Sequence, residues 1–204
     1  MVKKTKTNVC ILSICLIIVL VYILLTDIFS LIDPFLFPSL KVVLPAFIKY
    51  LPQLIDGLIS SLTLLVPSYF AALVLGILLG IPIGLVRNLR QNISPFINAA
   101  SAIPATLLTP YAIYLLPTFR SASMFIIFIG SFWTILGATI NAVMTIDKRY
   151  LEVADTLEIE GMERIIKVIL PGASPTILSG SNIALKFSFL LLTVAEMFGA
   201  TSGM

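Results

Sequence analysis

Apolar positions along the chain gather into five long runs, at about residues 9–32, 58–86, 95–116, 123–146 and 175–200, separated by short polar or charged breaks. Each run has about the 20 residues that a helix rising 1.5 Å per residue needs to cross a hydrocarbon core of about 30 Å. The pattern therefore predicts an all-α integral membrane protein with about five transmembrane helices. Between the fourth and fifth runs the pattern changes. From Glu152 to Pro171 apolar residues recur at Val153, Leu157, Ile165, Val168 and Ile169 with acids and bases between them, which predicts two short amphipathic helices with a break near Gly161.

The breaks set the topology. Lys3, Lys4, Lys6, Arg87, Arg90, Lys148, Arg149, Arg164 and Lys167 fall on one side, and only Lys41, Lys49 and Arg120 on the other. The positive-inside rule then makes the amino terminus and the Glu152–Pro171 segment cytoplasmic. Three divisions follow: 1–32 as amino terminus and first helix, 33–57 as an external connection, and 58–204 as a membrane core with a cytoplasmic loop at 147–174. The first run has no small-residue cleavage site around Thr26-Asp27-Ile28-Phe29, so it reads as a retained helix rather than a signal peptide. Pro34, Pro38, Pro45 and Pro52 break the connection, leaving room for one amphipathic turn.

Within the second run Ala72, Gly76, Gly80 and Gly84 recur every four residues, placing small side chains on one face for close packing against another helix. Pro82 is expected to kink its end. The third run carries Pro104, Pro110 and Pro117, and a broken helix at membrane depth needs protein or a water-lined cavity around its freed backbone groups. In the fifth run Ser179, Asn182, Lys186, Phe189, Thr193 and Glu196 follow at spacings of three or four and share one stripe. Asn182, Lys186, Thr193 and Glu196 are the candidates for a translocation path, because charge in a membrane helix is costly and seeks a pathway or partner. Snorkelling of Lys186 to the surface and simple hydration of Glu196 near its end are the bland alternatives. Thr134, Thr139 and Asn141 on the fourth run are weaker candidates.

Composition adds exclusions. The chain of 204 residues is 59% hydrophobic and 11% charged, with a mean hydropathy of +1.10 and a net charge of +3. Bases flank the apolar runs instead of forming a patch, so no nucleic-acid partner is indicated. Histidine is absent, and Cys10 and Cys15 lie within the first apolar run, so no catalytic constellation, metal set or disulfide framework is visible. No cofactor motif is present and no phosphate-binding G-x-x-x-x-G-K-[ST] loop either, so nucleotide chemistry must belong to another polypeptide.

Glu152-Val153-Ala154, a glycine-containing turn and Val168-Ile169-Leu170-Pro171 resemble the EAA loop of bacterial ABC importer permeases. FPSL at Phe37–Leu40, LGIPIGL at Leu79–Leu85, IPATLLTPYAIYLLP at Ile103–Pro117 and AEMFGATSG at Ala195–Gly203 are similar to the nitrate, sulfonate and taurine group of that family. The resemblance implies a permease subunit that imports a small solute, an anion such as a sulfonate, taurine or nitrate. Its implied partners are cytoplasmic ATP-binding subunits, an extracellular or periplasmic solute-binding protein and a second permease copy, in the bilayer of a bacterial inner membrane. It assigns ATPase coupling to Glu152, Val153, Ala154, Leu157, Gly161, Leu170 and Pro171. Ala154 would permit close approach of the partner, Glu152 would accept its hydrogen bonds, and Pro171 would set the angle of membrane re-entry. The permease itself is then no enzyme.

Two departures stand out. Position 158 is Glu where the family carries its turn glycine, so either the turn moves to Gly161 or the first arm is longer. The family has six helices where five are read here, which leaves a truncated non-transporting permease fragment or a shortened assembling form open. An ion-coupled secondary carrier is the rival reading from another class, and an intramembrane hydrolase finds no nucleophile and base.

Overall fold

The computed structural model describes residues 13–14, 16–28, 33 and 35–198. Lys3, Lys4, Lys6, Cys10, Cys15, Pro34 and the Gly199–Gly203 part of the last family-like segment lie outside the described residues. The described residues contain helices and no strand. The chain divides into two units, Met1–Asp56 and Gly57–Met204.

In the first unit α1 (Leu16–Thr26) is a short apolar helix that ends in a π turn at Leu24–Ile28. The Thr26 hydroxyl donates to the Tyr22 carbonyl at 2.8 Å, and the Tyr22 hydroxyl donates to the Pro38 carbonyl at 2.8 Å. Asp33 accepts from the Phe35 amide at 2.9 Å, closing a turn that leads to α2 (Leu40–Leu85). The segment expected to be a proline-broken connection is thus helical from Leu40 onward. Pro45 and Pro52 each remove one amide donor, but their fixed φ already suits a helix. At 1.5 Å per residue the 46 residues of α2 span about 70 Å, more than twice a hydrocarbon core. The uncharged stretch that fits the bilayer is Gly57–Leu85, after Lys41, Lys49 and Asp56.

The second unit holds the rest of α2 and α3 (Arg87–Ser101), α4 (Thr109–Leu115), α5 (Phe119–Met144), α6 (Lys148–Thr156) and α7 (Gly161–Met197). α2, α5 and α7 are long and apolar enough to cross a membrane, and the bent pair α3 and α4 makes a fourth span if taken together. The first expected span contains only α1 among the described residues.

Small residues fix how α2 meets α5. A Cβ at Gly76 would lie 2.8 Å from Ile135 Cγ2, one at Gly80 2.6 Å from Thr139 Cβ, and one at Gly84 2.7 Å from Val143 Cβ. The contacts advance in the same direction along both helices, so α2 and α5 run parallel. α7 runs antiparallel to α5, with Gly180 against Ala138 and Gly130 against Leu191. The hydroxyls buried in these faces mostly bond back to their own helix: Ser68 to the Leu64 carbonyl at 2.7 Å and Thr139 to the Ile135 carbonyl at 2.8 Å.

The turn from α2 to α3 takes a single residue, Val86, because Arg90 donates to the Gly84 carbonyl at 2.5 Å and satisfies the end of α2. Arg87 and Arg90, read as a loop, therefore belong to α3. α3 packs on α5 through Ile97 in a cluster with Leu136 and Ile140, which Ile83 of α2 joins. The third run is broken at Pro104, where α3 and the 105–115 segment bend by 72°. A short 3-10 turn, Ala105–Leu108, leads into α4.

Gly80→Leu should lower stability by about 1–3 kcal/mol, because Thr139 Cβ and the Leu136 carbonyl leave the new side chain no space. A fall in thermal midpoint in detergent reads this out, and an unchanged midpoint would contradict the packing of α2 on α5.

Candidate functional site

The hairpin between α6 and α7 is built from the turn outward. Asp147 caps α6 by accepting from the Arg149 amide at 3.0 Å. α6 closes with the Ile159 amide donating to the Ala154 carbonyl at 2.9 Å and the Glu158 amide to the Asp155 carbonyl at 3.2 Å. These two bonds form a Schellman closure, which requires a left-handed residue at position 158. Glu158 supplies it at φ 53°, so the turn has not moved to Gly161. Gly161 is left-handed as well, at φ 57°, and begins α7. Two left-handed residues three apart reverse the chain within the four residues between the helices.

The arms are braced across the turn by Arg164 Nη1 on Asp155 Oδ1 at 2.6 Å, and Lys167 pairs with Glu163 one helical turn along at 2.6 Å. On the inner face Leu151, Ile165 and Ile169 join Ile81, Ala142, Val143, Ala173 and Ile177, which anchors the hairpin to α2, α5 and α7. Ala154 also faces inward, with only 1% of its surface exposed. The small side chain at 154 thus accommodates this chain's own packing. Val153, Leu157, Tyr150, Met162 and Ile166 remain exposed on the hairpin. Glu152 and Gly161 are exposed too.

α7 does not restart at Pro171. The chain passes from the hairpin arm through a π turn, Ile165–Ile169, directly into the helix Leu170–Met197. The π turn absorbs the amide that Pro171 lacks. Leu170 is at the margin of exposure.

Along α7 the predicted stripe separates. Asn182, Lys186 and Thr193 lie on an exposed face, away from α5. Glu196 is half-buried and accepts from the Ser61 hydroxyl at 2.6 Å, tying α7 to α2. Thr193 donates to the Phe189 carbonyl at 3.0 Å. Ala72 is fully buried with Ile135 and Ala184, in line with the contacts of Gly76, Gly80 and Gly84. Asn141 is exposed, while Thr139 is buried against Gly80.

A cavity of about 760 Å³ opens between the α3–α4 bend, α5 and α7. Phe125, Trp133, Phe187, Thr106, Thr134 and Gly137 are among the residues that line it. Of these only Thr134 is picked out by the sequence. The aromatic residues sit in apolar runs where lipid-facing and cavity-facing positions look alike, so no sequence signal marks them. Met162 and Ile166 also escape a periodicity count, because the left-handed residues Glu158 and Gly161 shift the helical phase between the arms, and Tyr150 lies just before the segment read as amphipathic.

The family model of the binding-protein-dependent transport system inner membrane component matches residues 72–204. The chain belongs to this family. Its relatives include a bicarbonate transport system permease protein of Synechococcus elongatus, 33% identical over 139 residues, 68% of this chain and 50% of the relative. A putative aliphatic sulfonates transport permease protein of Bacillus subtilis is 32% identical over 129 residues, 63% of this chain and 47% of the relative. A nitrate import permease protein of Leptolyngbya laminosa is 31% identical over 138 residues, 68% of this chain and 50% of the relative. The chain spans about half the length of these curated relatives. In fold it resembles an amino acid ABC transporter solved with histidines, with a TM-score of 0.52 and 21% identity over 73% of this chain and 75% of that one. An all-α, multi-pass membrane protein of the ABC permease kind is therefore established, and the relatives carry the name of permease components rather than enzymes.

Replacing Glu158 with Gly should relieve about 1 kcal/mol of backbone strain while keeping both closing bonds. Slower amide exchange at position 158 and at Ile159 in the variant is the expected result, and faster exchange would mean that the turn is not held as described.

Proposed function

We propose that the chain is the membrane-spanning subunit of an ATP-driven ABC importer that moves a small solute, an anion such as a sulfonate, taurine, nitrate or bicarbonate, into the cell. Separate ATP-binding subunits dock on the hairpin, a solute-binding protein delivers the solute from outside, and two copies of the chain enclose the path. The protein lies in a bacterial inner membrane with its amino terminus cytoplasmic.

The observation that carries this reading is the outer face of the hairpin. Val153 and Leu157 are 57% and 63% exposed, and Met162 and Ile166 are 69% and 58% exposed, on a segment braced by an ion pair and anchored beneath by Ile165 and Ile169. A rigid arm with an apolar outer face needs a partner to cover it. Movement of that partner on ATP binding passes through Leu151, Ile165 and Ile169 to α2, α5 and α7, since those side chains share one packed cluster with the membrane helices. Coupling then falls to Val153, Leu157 and the exposed Glu152, with Ala154, Gly161, Leu170 and Pro171 shaping the hairpin. Asn182, Lys186 and Thr193 supply polar groups on the exposed face of α7, where two copies would meet around the solute, and Lys186 offers the positive charge that an anion follows. The names of the relatives, which speak of bicarbonate, nitrate and aliphatic sulfonates, support an anion.

Leu157→Asp withdraws about 1.5–3 kcal/mol of apolar burial from the docked state and should reduce transport roughly tenfold or more while the protein still inserts and folds. ATP-dependent uptake into proteoliposomes holding the complete transporter measures it, and uptake equal to the unaltered protein would remove the hairpin from coupling. Lys186→Met should impair anion uptake while ATPase assembly on the hairpin persists. Uptake that survives loss of the ATP-binding subunit and collapses with the proton or sodium gradient would overturn the importer reading in favour of an ion-coupled carrier.

A further inference from the structure

We infer that the cavity between the α3–α4 bend, α5 and α7 holds the apolar body of an organic anion, and that the solute is of this class rather than a small inorganic oxyanion. The inference rests on the permease reading and narrows its solute.

Gly137 is the first observation. Gly76, Gly80 and Gly84 admit α5, and Gly130 and Gly180 admit Leu191 and Ala138, so a close neighbour accounts for each of them. A Cβ at Gly137 would meet nothing within 4 Å. Glycine inside a helix is unfavourable relative to alanine, and here no neighbouring group requires it. Gly137 lines the cavity, so its missing side chain enlarges that space and nothing else.

The chemistry of the walls is the second. Phe125, Trp133 and Phe187 line the cavity, and the ring of Trp133 is fixed by edge contacts with Phe96 and Phe132 at centroid distances of 6.4 and 5.0 Å. No ionisable side chain is among the described residues lining it. Of the three hydroxyl residues there, Ser101 already donates to the Asn98 carbonyl at 3.1 Å and Thr134 to the Gly130 carbonyl at 3.2 Å, which leaves Thr106. A hydroxyl that has given its proton away offers only lone pairs, and these repel an anion. Nitrate or bicarbonate would lose its hydration in this cavity with the Thr106 hydroxyl and the Trp133 indole N–H as the side-chain donors to replace it. An alkyl or aryl body meets aromatic faces instead, and about 760 Å³ falls within the range of roughly 300–1,000 Å³ that organic ligands occupy. Lys186 lies one helical turn before the cavity-lining Leu190 and is exposed, so it receives the charged head outside the apolar space.

Trp133 is the single tryptophan of the chain and reports on the cavity directly. The full chain in nanodiscs is titrated with 1-hexanesulfonate, with nitrate and with decyl maltoside while Trp133 emission is recorded. The expected result is a saturable shift with 1-hexanesulfonate and none with nitrate at equal concentration. Gly137→Leu, whose side chain grows into open space, should retain the thermal midpoint and weaken the 1-hexanesulfonate response about tenfold or more. Gly137→Ala should lie between the two. A response to nitrate equal to that of 1-hexanesulfonate, an equal response to decyl maltoside that marks the cavity as a lipid-chain site, or unaltered binding in a folded Gly137→Leu protein would each overturn the proposal. The titration needs no ATP-binding partner, so its failure is separate from failure of ATP-dependent uptake.

Discussion

Everything in the membrane core depends on how close α2 and α5 come to each other. The hydrophobic effect does little to draw helices together in lipid, so contact and interhelical bonding must do it. Gly76, Gly80 and Gly84 bring the backbone of α2 against Ile135, Thr139 and Val143, with the Leu136 and Ile140 carbonyls just beyond. α7 then closes on α5 through a second small-residue contact at Gly180 and Ala138. Leu151, Ile165 and Ile169 of the hairpin pack beside Val143, the residue that Gly84 touches. Loosening the first contact would therefore be felt at the hairpin as well as between the helices.

The second organising constraint is that backbone groups must find partners where water is scarce. The corner after α2 is tight because a guanidinium takes up a carbonyl at its end. The bend at Pro104 is sited where α5 and α7 flank it, and a cavity results. Ser68 and Thr139 at packing positions return their protons to their own helix, while Ser61 gives its proton to Glu196 across to α7. Each irregularity of the second unit thus has either a polar partner or protein beside it.

Much of this was legible in the sequence. Long apolar runs announced membrane helices, and the EAA-like segment with its flanking motifs announced the family, because both signals are local in the chain. The four-residue spacing from Ala72 to Gly84 pointed to a packing face, though which helix would lie on it is a property of the tertiary fold. Pro45 and Pro52 misled: proline breaks helices by rule, yet the chain between Leu40 and Asp56 is helical, since the fixed φ of proline is itself helical and only two amides are absent. Glu158 was recognised as the wrong residue for a left-handed turn, and two ways of avoiding strain were anticipated. The chain uses neither, since the closing bonds at Ala154 and Asp155 hold the glutamate there. Ala154 was read as facing a partner, and its burial became visible only once the arm was placed on the membrane helices.

The π turn at Ile165–Ile169 carries a mechanical consequence. A π turn holds one residue more than an α turn, so the helix on its hairpin side is advanced by one residue, about 100° of rotation and 1.5 Å of rise, against an unbroken α-helix. Sited between the hairpin and the membrane stripe, that extra residue sets the angle at which the hairpin's apolar outer face stands to the face bearing Asn182 and Lys186. Deleting one residue there would turn the two faces against each other by about 100° while leaving each face intact.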